Sequence, residues 1–128
     1  MGKLDGRVAI VTGAAQGIGR AIADKLKEEG AQLVVTDIQG DKVAETAKAL
    51  DAHAVQADIS SEADAQKIVD ETLAKHGRVD VLVHAAAIVP FVAWDDVDFA
   101  YWRKIISVDL GGAYLIGRAV EKPMREAG

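Results

Sequence analysis

Apolar and polar positions along the chain follow two alternating rhythms. Short aliphatic runs, VAIV at 8–11, LVV at 33–35, HAVQ at 53–56 and VLV at 81–83, read as strands, and each is followed by a stretch with apolar residues at helical spacing. Ile18, Ile22 and Leu26 recur at i, i+4 and i+8, with Gly30 as a left-handed stop. Val43, Ala47 and Leu50 make a shorter stripe. Ser61 is placed to cap a third helix whose inner face is Ala65, Ile68, Val69, Thr72 and Leu73, ending at Gly77. The fourth helical segment is predicted as one helix from about Phe99 to about Arg125, with Trp102, Ile106, Ala113, Ile116 and Val120 on one face. Pro123 costs it a hydrogen bond near its end.

Alternating strands and helices with short connections predict parallel strands joined by right-handed crossovers. The expected fold is α/β, a doubly wound parallel sheet of strand order 3-2-1-4 with helices on both faces. No repeat, low-complexity tract or linker interrupts it, so residues 1–128 read as one domain, able to bury about two-thirds of its unfolded surface.

Composition removes several function classes. Fifteen Lys and Arg against twenty Asp and Glu give a net charge of -5, and with no basic block there is no footprint for a nucleic-acid groove. Without cysteine there is neither a disulfide framework nor a thiolate nucleophile, and His53, His76 and His84 lack metal-ligand spacing, so no metal site is expected. A reducing cytoplasm is the simplest compartment. No apolar run approaches the roughly 18 residues needed to span a bilayer, so no membrane partner is expected.

The chemistry concentrates in TGAAQGIG, residues 12–19, between the first strand and the first helix. A helix that begins at the glycines leaves its first amide N–H groups unpaired, and its dipole adds about half a positive charge there. That suits a pyrophosphate. Gly13 serves the tight turn, Gly17 the close approach of backbone to phosphate, and Gly19 the packing of helix on strand. An acid about twenty residues on is expected to bind a ribose diol, and Asp37 stands there. Its charge repels a 2′-phosphate, and neither Gln16 nor Ile38 supplies a compensating cation, so NAD is favoured over NADP.

The glycine spacing T-G-x-x-x-G-x-G resembles that of the short-chain dehydrogenase/reductase family. DGRVAIVTGAAQGIGRAIA is similar to the family's opening, and Asp58 in ADIS matches its adenine-side aspartate. DVLVHAAAI lies where the family has D-x-L-V-N-N-A-G, and WRKIISVDLGGAYLIGRAV is similar to W-x-x-x-x-x-V-N-L-x-G-x-F. Residues 87–106 resemble the corresponding loop of an NAD-dependent member. The resemblance implies an oxidoreductase acting on an alcohol or carbonyl. Gly13, Gly17, Ile18 and Gly19 would hold the pyrophosphate, Asp37 the adenosine ribose, Asp58 with Ile59 the adenine, and Ala86 the wall of the cofactor groove. Gln16, Ile38, Ala85 and Ala87 complete the expected cofactor-binding set.

Departures from the pattern carry their own expectations. The family's N-N-A-G is His84-Ala85-Ala86-Ala87 here, which removes two side-chain amides and adds a methyl at the last position. Its fourth-helix Asn, part of a proton relay, is Asp109. On an apolar helix face that carboxylate would be costly unless paired or protonated, so it is either an acid with a raised pKa or a tolerated change at a kink or opened surface. His84 reads as a strand-end residue rather than a base. The family's Ser and Tyr-x-x-x-Lys lie beyond the fourth helix; Tyr101 with Lys104 has the wrong spacing, and Tyr114 with Arg118 the wrong base. Tyr114 matches the family's helix-packing aromatic.

These readings predict a truncated Rossmann domain, the nucleotide-binding half of a dehydrogenase, inactive alone. The alternative is a non-catalytic nucleotide-binding or self-assembling scaffold. Strand four, with no Pro or Lys to protect it, predicts homo-oligomers through that strand or the fourth helix.

Overall fold

Four strands, β1 (Val8–Thr12), β2 (Gln32–Asp37), β3 (His53–Gln56) and β4 (Val81–His84), form one parallel sheet in the order β3-β2-β1-β4. The computed structural model describes residues 2–128. Side chains alternate along the strands with the period of the pleat: Ile10 and Val34 enter one core cluster, Ala9, Val11, Leu33 and Val35 the other. Both faces are buried, which is why the strands read as continuous aliphatic runs.

Helices α1 (Gly17–Glu28) and α2 (Gly40–Leu50) cover one face through Ala23, Val43 and Ala47. Helices α3 (Glu62–His76) and α5 (Gly112–Ala127) cover the other through Ala65, Ile68, Val69, Ile116 and Val120. Gly30 and Gly77 stop α1 and α3 with positive φ, and the Ser61 hydroxyl accepts the Asp64 N–H at 3.2 Å as the cap of α3. The chain crosses from β3 to β4 on the opposite side of the sheet from α1 and α2. That reversal leaves a crevice at the carboxyl ends of β1 and β4, where α/β sheets bind ligands.

The fourth helical segment differs from its prediction. A helix α4 (Phe99–Ile106) leads into a π-helical turn, Ser107–Gly111, before α5 begins. A π turn takes an extra residue, which rotates everything after it by about 100° relative to an uninterrupted helix. Ile116 and Val120 therefore reach the core, while Trp102 is 50% exposed and Ala113 faces outward. Trp102 stacks on Phe99 instead, with ring centroids 5.7 Å apart. Tyr114, expected to pack between helices, is exposed on a groove between α3 and α5 with Leu73 and Arg118. Leu73 itself lies at the rim of its helix face rather than in the core. Ile18, expected on the buried stripe of α1, is 77% exposed because the helix starts at Gly17 and its first turn overhangs the sheet.

Candidate functional site

Residues 12–19 leave β1, turn sharply and enter α1. Gly13 has φ +66, and a β-carbon there would meet the Ala86 nitrogen at 2.7 Å, so the turn is pressed against the segment that follows β4. A methyl at Gly19 would overlap the Gly13 carbonyl, which brings α1 onto the loop at a distance only hydrogen allows. Gly17 differs from both. It has φ +61, yet nothing lies within 4 Å of a β-carbon built on it, so its face is open. The amino end of α1 has no side-chain cap and no acid in its first turn, whereas α3 has the Ser61 cap with Glu62 and Asp64. Uncapped N–H groups beside an open glycine form a cradle for an anion.

Asp37 ends β2 beside this loop. Its Oδ2 accepts the Ala15 N–H at 3.1 Å and its Oδ1 the Gln39 N–H at 3.0 Å, leaving a half-buried carboxylate at the loop's edge. Ile38 is exposed and shares a cleft of about 400 Å³ with Ala57, Asp58 and Lys67. Asp58 accepts the Ser60 hydroxyl at 2.6 Å and the Ser60 N–H at 2.9 Å, and these bonds hold its carboxyl below the ordinary range. Ile59 is buried against Gly112, so its backbone rather than its side chain is available to a ligand.

Across the crevice, the backbone after β4 is tied down twice. Thr12 Oγ1 accepts the N–H groups of Ala85 at 3.0 Å and Ala86 at 3.1 Å, and lies 2.8 Å from His84 Nδ1. Asp109, presented by the π turn, accepts the Ile88 N–H at 2.8 Å through Oδ1. Its carboxylate therefore holds the backbone that follows β4. Ala87 is exposed, and among the described residues Asp51 is the one non-glycine with positive φ, so the methyl at Ala87 sits on backbone that any residue adopts.

Gly13, Gln16, Gly17, Ile18, Gly19 and Asp37 thus lie around one loop, with Ala85, Ala86 and Ala87 on the strand-four side of it and Ile38, Asp58 and Ile59 toward β3. Tyr114 and Arg118 lie on the groove between α3 and α5. Three participants escaped sequence reading. Thr12 begins the glycine motif, and its hydroxyl gathers the Ala85 and Ala86 amides. Thr46, fully buried on α2, donates to the Ala14 carbonyl at 3.0 Å. Lys42 Nζ donates to Gln16 Oε1 at 3.0 Å and brings an ammonium beside the loop.

Comparisons with known proteins agree with this geometry. Residues 13–128 match a family profile described as Enoyl-(Acyl carrier protein) reductase. The chain is 40% identical to an uncharacterized oxidoreductase of Methylorubrum extorquens over 100% of its own length and 54% of the relative's. It is 35% identical to a D-threitol dehydrogenase of Mycolicibacterium smegmatis, covering 98% of this chain and 50% of that one. The crystal structure of 3-ketoacyl-(acyl-carrier-protein) reductase from Brucella melitensis complexed with NADH superposes with a TM-score of 0.91 at 33% identity, over 97% of this chain and 52% of that one. The chain spans about half the length of the curated relatives it matches. The glycine loop, the parallel sheet of order β3-β2-β1-β4 and these matches together place the chain in the short-chain dehydrogenase/reductase family of oxidoreductases.

Proposed function

We propose that this chain is the NAD-binding portion of an oxidoreductase that moves a hydride between NAD and an alcohol or carbonyl compound. The observation that carries the reading is the uncapped, acid-free amino end of α1 beside the open face of Gly17, with the Asp37 carboxylate at the edge of the same loop. Bound there, NAD would supply the hydride acceptor. The amides of Gly17, Ile18 and Gly19 would hold its pyrophosphate, with Gly13 and Gln16 shaping the loop. Asp37 would exchange a backbone hydrogen bond for the ribose hydroxyls, Ile38, Asp58 and Ile59 would border the adenine, and Ala85, Ala86 and Ala87 would wall the groove.

Asp37 also supports NAD over NADP, because a 2′-phosphate would meet its carboxylate. Lys42 brings a cation beside the loop, and it is engaged by Gln16. Relatives of both kinds occur, an NADP-dependent (R)-specific alcohol dehydrogenase of Lentilactobacillus kefiri and an NAD-dependent glycerol dehydrogenase of Listeria innocua, so family membership does not make the choice. The 87–106 segment resembles that of pyridoxal 4-dehydrogenase, an NAD-dependent member, which makes a heteroaromatic alcohol or aldehyde the first substrate class to test in the complete protein.

Proton transfer is assigned to groups outside these 128 residues. Tyr114 is on the wrong groove, Asp109 holds the Ile88 amide through Oδ1, and no Tyr-x-x-x-Lys occurs in the sequence. Acid-base assistance is worth about 10²- to 10⁴-fold, so the chain alone is expected to bind without measurable turnover. Calorimetric titration with NAD, NADP and ADP-ribose, beside Asp37→Ala, tests the reading. Saturable NAD binding weakened by the substitution supports it. A folded chain that binds none of the three overturns it in favour of a scaffold.

A further inference from the structure

We infer that His84 is a positioning residue: by accepting the Thr12 hydroxyl proton on Nδ1 it holds the Ala85–Ala86 backbone against the glycine turn, and protonation of its ring releases that clamp. This rests on the nucleotide-binding reading of the crevice for its functional consequence, and on the hydrogen-bond count alone for its structural part.

Thr12 and His84 are register partners on β1 and β4, so their side chains emerge side by side from the same face. Three groups converge on Thr12 Oγ1: the amides of Ala85 and Ala86, at 3.0 and 3.1 Å, and His84 Nδ1, at 2.8 Å. The two amides can only donate. A hydroxyl has two lone pairs and one proton, so both lone pairs are used and the proton points at Nδ1, which must be bare. The ring is therefore neutral with its proton on Nε2. Thr12 is buried, so no water can take over its proton.

Protonating Nδ1 sets two donors against each other. Either the Thr12 hydroxyl turns away or the ring leaves, and both loosen the hold on Ala85 and Ala86. Those residues press on Gly13, where even a β-carbon would meet the Ala86 nitrogen at 2.7 Å, so their displacement reaches the loop that receives the pyrophosphate.

The charges around the ring are few. Thr12 and its neighbours Val11 and Gly13 on the β1 side are uncharged, as are Ala85, Ala86 and Ala87, and among the described residues Asp109 from the π turn is the ionic group that acts on it. Nε2 is buried, with no hydrogen-bond partner among the described residues. Burial disfavours the imidazolium, Asp109 partly opposes that, and the ring titrates below the ordinary histidine value of 6.5.

Long-range ¹H–¹⁵N NMR of the ligand-free chain, with ring signals assigned by their loss in His84→Asn, reads the tautomer directly. The expected result is a proton on Nε2, with Ala85 and Ala86 amide resonances that move on acidification together with the His84 ring. His84→Asn, whose amide oxygen can accept the Thr12 proton, should restore the neutral-form shifts without their pH dependence, and His84→Leu should displace them at every pH. NAD affinity should fall about three- to tenfold as pH drops through the His84 titration read from the ring signals, the loss of one hydrogen bond, and the fall should vanish in His84→Asn. The pyrophosphate of NAD does not titrate across this window. A proton on Nδ1, or Ala85 and Ala86 amides indifferent to His84 protonation, overturns the clamp. Amides that titrate while NAD affinity stays flat overturn its link to the crevice. Failure of NAD to bind at any pH refutes the nucleotide reading instead, and the NMR arm still judges the clamp.

Discussion

Thr46 Oγ1 donates a 3.0 Å hydrogen bond to the Ala14 carbonyl, tying the buried face of α2 to the middle of the glycine loop. Both residues are fully buried, so the carbonyl has no water to fall back on. Thr46→Val keeps the shape and removes the donor, which should cost about 1–3 kcal/mol in a denaturant melt and weaken NAD binding by loosening the loop. Thr46→Ser should recover most of both losses. Equal behaviour of the valine and serine variants would show that the hydroxyl does nothing here.

Gly17 and Gly19 make a paired prediction, because one faces open space and the other faces backbone. At Gly17 an added methyl meets nothing, but φ of +61 disfavours any L side chain by about 1–2 kcal/mol. Gly17→Ala should stay folded and lose NAD affinity at least tenfold, since the methyl occupies the phosphate's approach. At Gly19 a methyl would overlap the Gly13 carbonyl, so Gly19→Ala should destabilise by about 2 kcal/mol or more before ligand is considered. Thermal melts and calorimetry on both variants check the contrast; equal stabilities would count against it.

What was legible in the sequence was local. The strands, the Ser61 cap, the left-handed Gly30 and Gly77, and the glycine and acid placement at Gly13–Gly19 and Asp37 all follow from the needs of a few adjacent residues. The π turn at Ser107–Gly111 was not legible, because nothing in its residues breaks helical spacing; the fault shows only when Ile116 and Val120 face the core while Trp102 does not. The Asp109–Ile88, Thr46–Ala14 and Thr12–His84 bonds escaped for a related reason. Each joins groups at least 21 residues apart, so its existence depends on the packed fold.

Asp80 predicts an acid limb of stability. Its side chain is 4% exposed, and its carboxylate accepts Arg78 at 2.6 and 2.8 Å, the Val8 N–H at 2.9 Å and Arg7 at 3.3 Å, pinning the starts of β1 and β4 together. The Arg78 fork is the main cause that lowers its pKa from 3.8 to about 2. Because the folded value is the lower one, this stabilisation is present above about pH 4 and is lost as pH falls toward about 2. Its size is on the order of 1–2 kcal/mol, discounted because both guanidinium partners are about half exposed to solvent. Asp80→Asn should therefore be less stable than the parent at neutral pH, with the gap closing in acid. Urea midpoints that stay parallel from about pH 7 to about pH 2.5 would sink the assignment.

Residues toward β3 and at the glycine loop supply groups for the adenosine end of a dinucleotide, while the segment after β4 offers the nicotinamide end mainly alanine methyls. ADP-ribose should consequently bind nearly as well as NAD. A tenfold or larger preference for NAD, about 1.4 kcal/mol, would mean that the chain holds nicotinamide contacts not recognised among Ala85, Ala86 and Ala87.

Self-association is the last expectation. β4 is paired with β1 on one side and has no strand on the other among the described residues, and VLV carries neither Pro nor Lys to discourage pairing. Phe91, fully exposed, and Trp94, 86% exposed, follow it in the chain, with Phe99 and Trp102 beyond. A second copy of this chain offers both a strand edge and an apolar surface, so light scattering should give a mass above the monomer's at about 100 µM and below. Amide exchange separates the two routes. Edge pairing protects the Val81–His84 amides as concentration rises, whereas association through the aromatic segment leaves them unchanged and is weakened by Phe91→Ser with Trp94→Ser. A strictly monomeric mass at the highest concentration removes both routes, and with them the idea that this sheet edge is used between copies of the chain.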